Sequence, residues 1–253
     1  MPRVTIPLAI ALGVCLLAGC GGHGGVRRSG TASAGAGASA SRARALAHAR
    51  GLAFAHAVNL TAADVPGFSA SREQHAKSRT ERLAEHDLYQ CAGARGGGSQ
   101  VHADLANAGS PSFELKRGII DLSVSSEVGV ERSPALARAE LQVIHQPRVR
   151  VCFKRYLQAV LAGRRAAGAR VEGVSIESGN PPAPGTAGSF GWRVSATFGV
   201  RGVRIPVYLD LLGFVYGPAR VTLVSSGALR PFPAVAQQGL FELLLRRAKA
   251  HPL

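Results

Sequence analysis

The chain has 253 residues, 46% of them hydrophobic, which is enough apolar material for a sizeable core and excludes a disordered polyelectrolyte. Its formal net charge is +15, with 30 Lys and Arg against 15 Asp and Glu. The basic residues form no dense run, so they read as a solvated, compositionally biased surface, with attraction to anionic polymers as the rival reading.

The N-terminus is ordered like an export signal. Arg3 supplies a basic tip, Ile6 to Leu17 an apolar centre, and Leu17-Ala18-Gly19-Cys20 a small-residue cleavage site that ends in cysteine. That ending makes residues 1–19 look like a bacterial lipoprotein signal, with Cys20 as the lipid attachment point. The apolar run falls short of the ~20 residues a spanning helix needs. Two or more acyl chains give stable anchoring, each buried methylene adding about 0.8 kcal/mol. The expected location is therefore the extracytoplasmic face of the cell membrane, where nucleic acid is not an expected partner. Only Arg3 is lost with the signal, so the exported chain keeps nearly all its positive charge.

Residues 20–41 are Gly, Ala and Ser with Arg27 and Arg28, which is linker composition. Residues 42–253 then read as one domain. Cys15 leaves with the signal, so Cys91 and Cys152 remain as an even pair in an oxidising compartment, and a disulfide between them is expected. A metal or nucleophilic pair is the alternative, but neither cysteine has a partner at short spacing.

Ser41–Val58 reads as a helix with Leu46, Ala49, Ala53 and Ala57 on one stripe, weakened by Gly51. Asn59-Leu60-Thr61 has the form of a glycosylation sequon and reads here as a helix exit, and Pro66-Gly67 as a turn. Arg79–Cys91 reads as a second helix with Leu83, Leu88 and Cys91 inward. Gly93–Ser99 reads as a flexible turn, since it lacks the lysine and strand of a phosphate loop. Ile120 to Val130 alternates as a half-buried strand.

Ser133-Pro134 opens a helix with a capping serine and proline at the first helical position. Its stripe is Leu136, Glu140, Val143 and Ile144, in which Glu140 is the polar exception. Pro147 begins the next helix, whose stripe of Val149, Cys152, Phe153, Tyr156, Leu157, Val160 and Leu161 is the cleanest in the chain.

The second half reads as strands: Val171–Glu177 with a bulge at Gly173, then Phe190–Phe198, Val203–Leu211 and Arg220–Ser225. In the third, Val203, Ile205, Val207, Leu209 and Leu211 are inward and Arg204, Tyr208 and Asp210 outward. A last helix, Val235–Lys249, buries Leu240, Phe241, Leu244 and Leu245. Short turns between strands imply an antiparallel meander packed against helices, an α+β fold.

This layout resembles the actinobacterial lipoproteins and extracellular sensor-type domains with a PsbP-like fold, the LpqN-type group. The residues that carry the likeness are Asp64-Val65-Pro66-Gly67-Phe68, Cys91, Ser110-Pro111-Ser112-Phe113, Cys152 and Ile205-Pro206-Val207-Tyr208-Leu209-Asp210. The resemblance implies an antiparallel sheet between helices and a binding or sensing module rather than an enzyme. It carries over no catalytic set.

No catalytic motif stands out. Gly173-Val174-Ser175-Ile176-Glu177 lacks the last glycine of a nucleophile elbow, and His48 and His56 are too far apart along a helix to share a metal easily. The carboxylates are dispersed, so spacing nominates no acid–base pair. No catalytic residue, metal or cofactor is expected. The candidate ligand-binding group is the polar sheet face: Arg193, Ser195, Thr197, Arg204, Tyr208 and Asp210, with Trp192 and Phe214 lining an apolar pocket nearby. A sheet face that is solvated or covered by a helix is the competing reading.

The leading expectation is a membrane-anchored, non-catalytic binding or sensor module of the cell envelope. Its partners are the membrane through the anchor, and a small molecule, a lipid or an anionic envelope polymer. The alternatives are an envelope hydrolase with a triad assembled in space and a polyanion-binding surface protein.

Overall fold

A computed structural model describes residues 34–71, 78–93, 104–163, 169–200 and 202–253. The signal, Cys20, the linker up to residue 33 and most of the glycine-rich 93–99 stretch lie outside the described residues. Five helices are described: α1 (Ala34–Val58), α2 (Arg79–Ala92), α3 (Pro134–Ile144), α4 (Pro147–Gly163) and α5 (Ala234–Ala250). The strands are β1 (Ser69–Ser71), β2 (Ala106–Gly109), β3 (Ser112–Arg117), β4 (Ile120–Val130), β5 (Ala169–Gly179), β6 (Gly188–Val200), β7 (Val203–Tyr216) and β8 (Ala219–Ala228). They form one antiparallel sheet in the order β1-β3-β4-β8-β7-β6-β5, with β2 paired to the far end of β4. The α+β expectation holds. Among the described residues no helix is long and apolar enough to cross a membrane.

The sheet is covered on both sides. On one side α1 and α5 bury Phe54, Val58, Leu240, Phe241 and Leu244 against Phe113, Val124, Val128, Phe214 and Val221. On the other, α2 and α4 bury Leu88, Phe153 and Leu157 against Trp192, Val194, Leu209 and Leu211, and α3 adds Ala137 and Leu141 over Phe190 and Val215. Cys91 and Cys152 are bonded, which staples α2 to α4. The α4 stripe is buried as expected, except that Tyr156 is half-buried. The four inward residues of α5 are all buried, and β5 is bulged between Val171 and Gly173.

Several expectations are corrected. Helix α1 begins at Ala34, inside the stretch read as linker, because alanine favours the helix more than any other residue. Its inward face is Phe54, Ala55 and Val58, while Leu46 is exposed and Ala49 and Ala53 face solvent. Alanine is spread round the whole helix and gives no stripe, so the bulky Phe54 and Val58 set the face. Gly51 lies where α1 meets β2; a Cβ there would stand 2.7 Å from the Ala106 Cβ.

In α2, Leu83 is exposed and Ala84, Leu88 and Ala92 form the buried row. In α3, Val143 is exposed and Ala137 and Leu141 are buried. Val203 is exposed because it sits at the tip of the β6–β7 hairpin. Strands β1 and β2 are too short and too rich in Ser, Ala and Gly to announce themselves, and β3 carries only Phe113 and Leu115 as apolar residues among charged ones.

The Asp-Val-Pro-Gly-Phe segment is a clamp. Asp64 caps the short 3-10 turn Ala62–Asp64 by accepting from the Thr61 N–H at 2.7 Å. It also accepts two bonds from Arg247 of α5, both at 2.8 Å. Arg247 donates a third bond, 2.9 Å long, to the Asn59 carbonyl. Asn59 is itself buried at 4% exposure, donating to the Ala108 carbonyl and accepting from the Ser126 hydroxyl. The sequon asparagine is thus an internal strut at the helix exit.

Burial alone would raise the Asp64 carboxyl, but the bonds from Arg247 and Thr61 outweigh it and hold the group below its usual 3.8. Asp64→Asn is expected to cost about 1–3 kcal/mol, read by urea unfolding at pH 7. Because the folded-state value is lowered, this contribution is complete above the unfolded value and is lost as pH falls through the folded one. The gap between wild type and variant should therefore begin to narrow only below about pH 4 and vanish below the folded value; a gap unchanged down to the lowest pH at which the fold survives refutes the clamp.

Candidate functional site

The sheet-face group does not assemble as one site. Arg193 on β6 and Asp210 on β7 are register partners, and the guanidinium donates to Asp210 at 2.7 and 3.1 Å. Asp210 was expected to face outward, yet it is 2% exposed. The reason is α5, which lies over this side: Gln237 donates to Asp210 at 3.1 Å and to the Ser225 hydroxyl at 2.6 Å. The carboxylate is held by these three bonds, a structural tie between sheet and helix. Arg204, near the hairpin tip, pairs with Glu172 of β5 at 2.9 Å. Tyr208 is half-buried opposite Ser195. Ser195 and Thr197 are also half-buried.

Trp192 and Phe214 lie on opposite sides of the sheet, so they share no pocket. Phe214 packs edge-on against Phe241 of α5, with ring centres 5.5 Å apart. Trp192 packs on Phe153 of α4 at 4.9 Å. Alternation along a strand correctly separates two faces, but it cannot reveal that both are covered.

A cavity does lie beside Trp192. It has a volume of about 440 Å³, within the usual range for small-ligand sites, and opens to solvent on one side. The α3–α4 junction forms one wall with Ile144, His145, Gln146, Pro147 and Arg150. The end of β5 contributes Ser178, Gly179 and Asn180, and β6 supplies Phe190 and Trp192.

Local sequence explains this shape. Pro147 starts α4 immediately after α3 ends, so the chain turns sharply and leaves a concave corner above the sheet. Phe190 lies flat over Gly213, its register partner on β7; a Cβ at Gly213 would collide with the ring. His145 is anchored by a 2.9 Å contact from its Nε2 to the Ser189 carbonyl oxygen. Gln146 is oriented by Arg148, whose Nε donates to its side-chain oxygen at 2.8 Å. The floor is therefore aromatic, and the rim carries one guanidinium, one imidazole and several amide and hydroxyl groups.

No family model matches this chain, and no curated protein matches it. A solved structure, the extracellular domain of PknH from Mycobacterium tuberculosis, is similar at 11% identity with a TM-score of 0.38. The match covers 78% of this chain and 95% of that one. No residue role passes from that domain to this chain.

Of the expected ligand-binding residues, Trp192 alone lines the cavity. Arg193, Arg204, Tyr208 and Asp210 lie elsewhere. Sequence reading missed His145, Arg150 and Asn180 because the cavity joins the α3–α4 junction to the β5–β6 pair about thirty residues later. The available signal was Gln146-Pro147 between two amphipathic helices, which marks a corner without saying what it faces.

Proposed function

We propose that the chain is a membrane-anchored, extracytoplasmic binding module without catalysis, and that it takes a small anionic molecule with a flat apolar part. The observation that carries this reading is the cavity whose floor is Phe190 and Trp192 and whose rim holds Arg150 and His145. An aromatic floor offers stacking and apolar burial, and a guanidinium at the mouth selects a carboxylate, sulfonate or phosphate. The Leu17-Ala18-Gly19-Cys20 sequence supports the anchor at Cys20, and the Cys91–Cys152 bridge fits an oxidising compartment.

Trp192 is the only tryptophan, so its emission reports directly on this cavity. Naphthalene-2-sulfonate serves as a flat anionic probe. Saturable quenching of Trp192 is expected, with affinity lowered about tenfold by Arg150→Ala, which removes one charge-assisted contact of about 1.5 kcal/mol. Native mass spectrometry of protein purified from its own host should show a retained small molecule that Trp192→Ala loses. No quenching together with no retained mass rejects the binding reading. Turnover of an ester or glycan substrate would favour the hydrolase alternative. Labelled palmitate entering the wild type and absent from Cys20→Ala tests the anchor separately.

A further inference from the structure

Asp104, Glu131 and Glu140 converge beside α3, where Glu140 lies one turn before Ile144 of the cavity wall. One carboxylate oxygen from each lies within 4.8 Å of the others. Glu131 follows β4, Asp104 precedes β2 and Glu140 is the polar exception in the α3 stripe. Gly129 makes the room: a Cβ there would come within 2.9 Å of Asp104 Oδ2 and 3.1 Å of the Arg220 guanidinium. Arg220 of β8 donates to Glu140 Oε2 and stands 3.9 Å from Asp104 Oδ2, which also accepts from Asn107 at 3.0 Å.

These contacts leave other oxygens unused. Glu131 is 2% exposed, and neither of its carboxylate oxygens has a hydrogen-bond partner; Asp104 Oδ1 is buried without one as well. An unpartnered buried carboxylate is costly, and buried polar atoms in folded proteins are nearly always satisfied. With all three ionised, these carboxylates outnumber the single guanidinium by two, the complement of a divalent cation, which would displace the proton that Glu131 holds without it.

We propose that Asp104, Glu131 and Glu140 bind a divalent cation, with Ca²⁺ the best fit. All donors are hard oxygens, which suit Ca²⁺, Mg²⁺ and Mn²⁺ rather than soft or nitrogen-seeking metals. A buried cage of protein carboxylates, its oxygens within 4.8 Å of one another, suits Ca²⁺, which accepts irregular oxygen shells, better than Mg²⁺, which demands near-ideal octahedral geometry and keeps several waters. Each of the three residues offers one oxygen, and water completes the shell. Arg220 does not fill the site; it holds Asp104 and Glu140 in place from the β8 side. This site is independent of the cavity and of the function proposed for it.

The test uses the full-length protein stripped with EDTA, its melting temperature followed as CaCl₂, MgCl₂ or MnCl₂ is added. Ca²⁺ is expected to raise the melting temperature by about 5 °C at millimolar concentrations, in keeping with an extracellular site. Glu131→Gln preserves the shape and removes the charge, so it should fold and bind Ca²⁺ at least tenfold more weakly by calorimetry. The proposal is overturned if none of the three ions shifts the wild-type transition, or if Glu131→Gln keeps the full shift. In the first case a proton alone relieves the carboxylates; in the second the ion sits elsewhere.

Discussion

Reducing the Cys91–Cys152 bridge is expected to destabilise the protein by about 4 kcal/mol, the chain-entropy value for its 61-residue separation. For a domain of this size that is roughly a 10 °C fall in melting temperature. The loss should be uneven. Helix α2 buries one large side chain, Leu88, and two alanines, Ala84 and Ala92, so it contributes little packing of its own. It is held chiefly through its bond to α4, so α2 amides should lose exchange protection first on reduction. Cys152 lies against Phe153, and Phe153 against Trp192. Trp192 emission should therefore shift under reductant before global unfolding. Alanine at Cys152 alone would confound the measurement by opening a hole at a 2% exposed site, so reductant on the wild type is the cleaner comparison. Identical transitions with and without reductant would show that the staple restrains nothing.

Replacing Arg220 by Met is expected to cost about 3–5 kcal/mol, the usual range for stranding one side of a buried ion cluster. Arg220 is 5% exposed and faces Glu140, Asp104, Glu127 and Glu131. Burial would discharge it, and these carboxylates keep it charged. Glu131 responds in the opposite sense. Burial first, then the facing Asp104 and Glu140, push its carboxyl from 4.5 up to about 9, with Arg220 alone pulling it down.

The sign follows directly. Between the unfolded value and about 9 the folded protein holds a proton that the unfolded chain releases, so stability falls as pH rises through that window and levels off above it. In EDTA, Glu131→Gln should flatten this slope and be more stable than wild type at pH 8, by on the order of 3 kcal/mol. Arg220→Met should steepen it, because nothing then opposes the remaining carboxylates. Urea unfolding from pH 5 to pH 9 checks both. A Glu131→Gln protein weaker than wild type at pH 8 would falsify the account of a buried carboxyl that holds its proton against Asp104.

What could be read from residues alone divides along physical lines. Helix α4 was legible because large apolar side chains recur at helical spacing and polar ones fill the gaps. Strands β4, β6, β7 and β8 were legible because each alternates cleanly, and the bulge in β5 because Gly173 interrupts that alternation. Helix α1 was placed but turned the wrong way, since alanine carries almost no orientational information. Asp210 was assigned to water because a polar residue at an alternate position means solvent only when that face is bare. Here Gln237, twenty-seven residues later, supplies its partner. The cavity and the carboxylate trio join residues from distant elements, and no local spacing encodes such a meeting. Glu140 alone hinted at it, as a charge inside an apolar stripe.

The central pairing of the sheet has one more implication, for the order of folding. Strand β4 joins β8 from Asp121↔Ala228 to Val130↔Ala219, so the middle of the molecule is closed by partners about a hundred residues apart. A chain made from its N-terminus cannot close the middle of this sheet until β8 exists, so the early strands must wait, unlocked, for the last one.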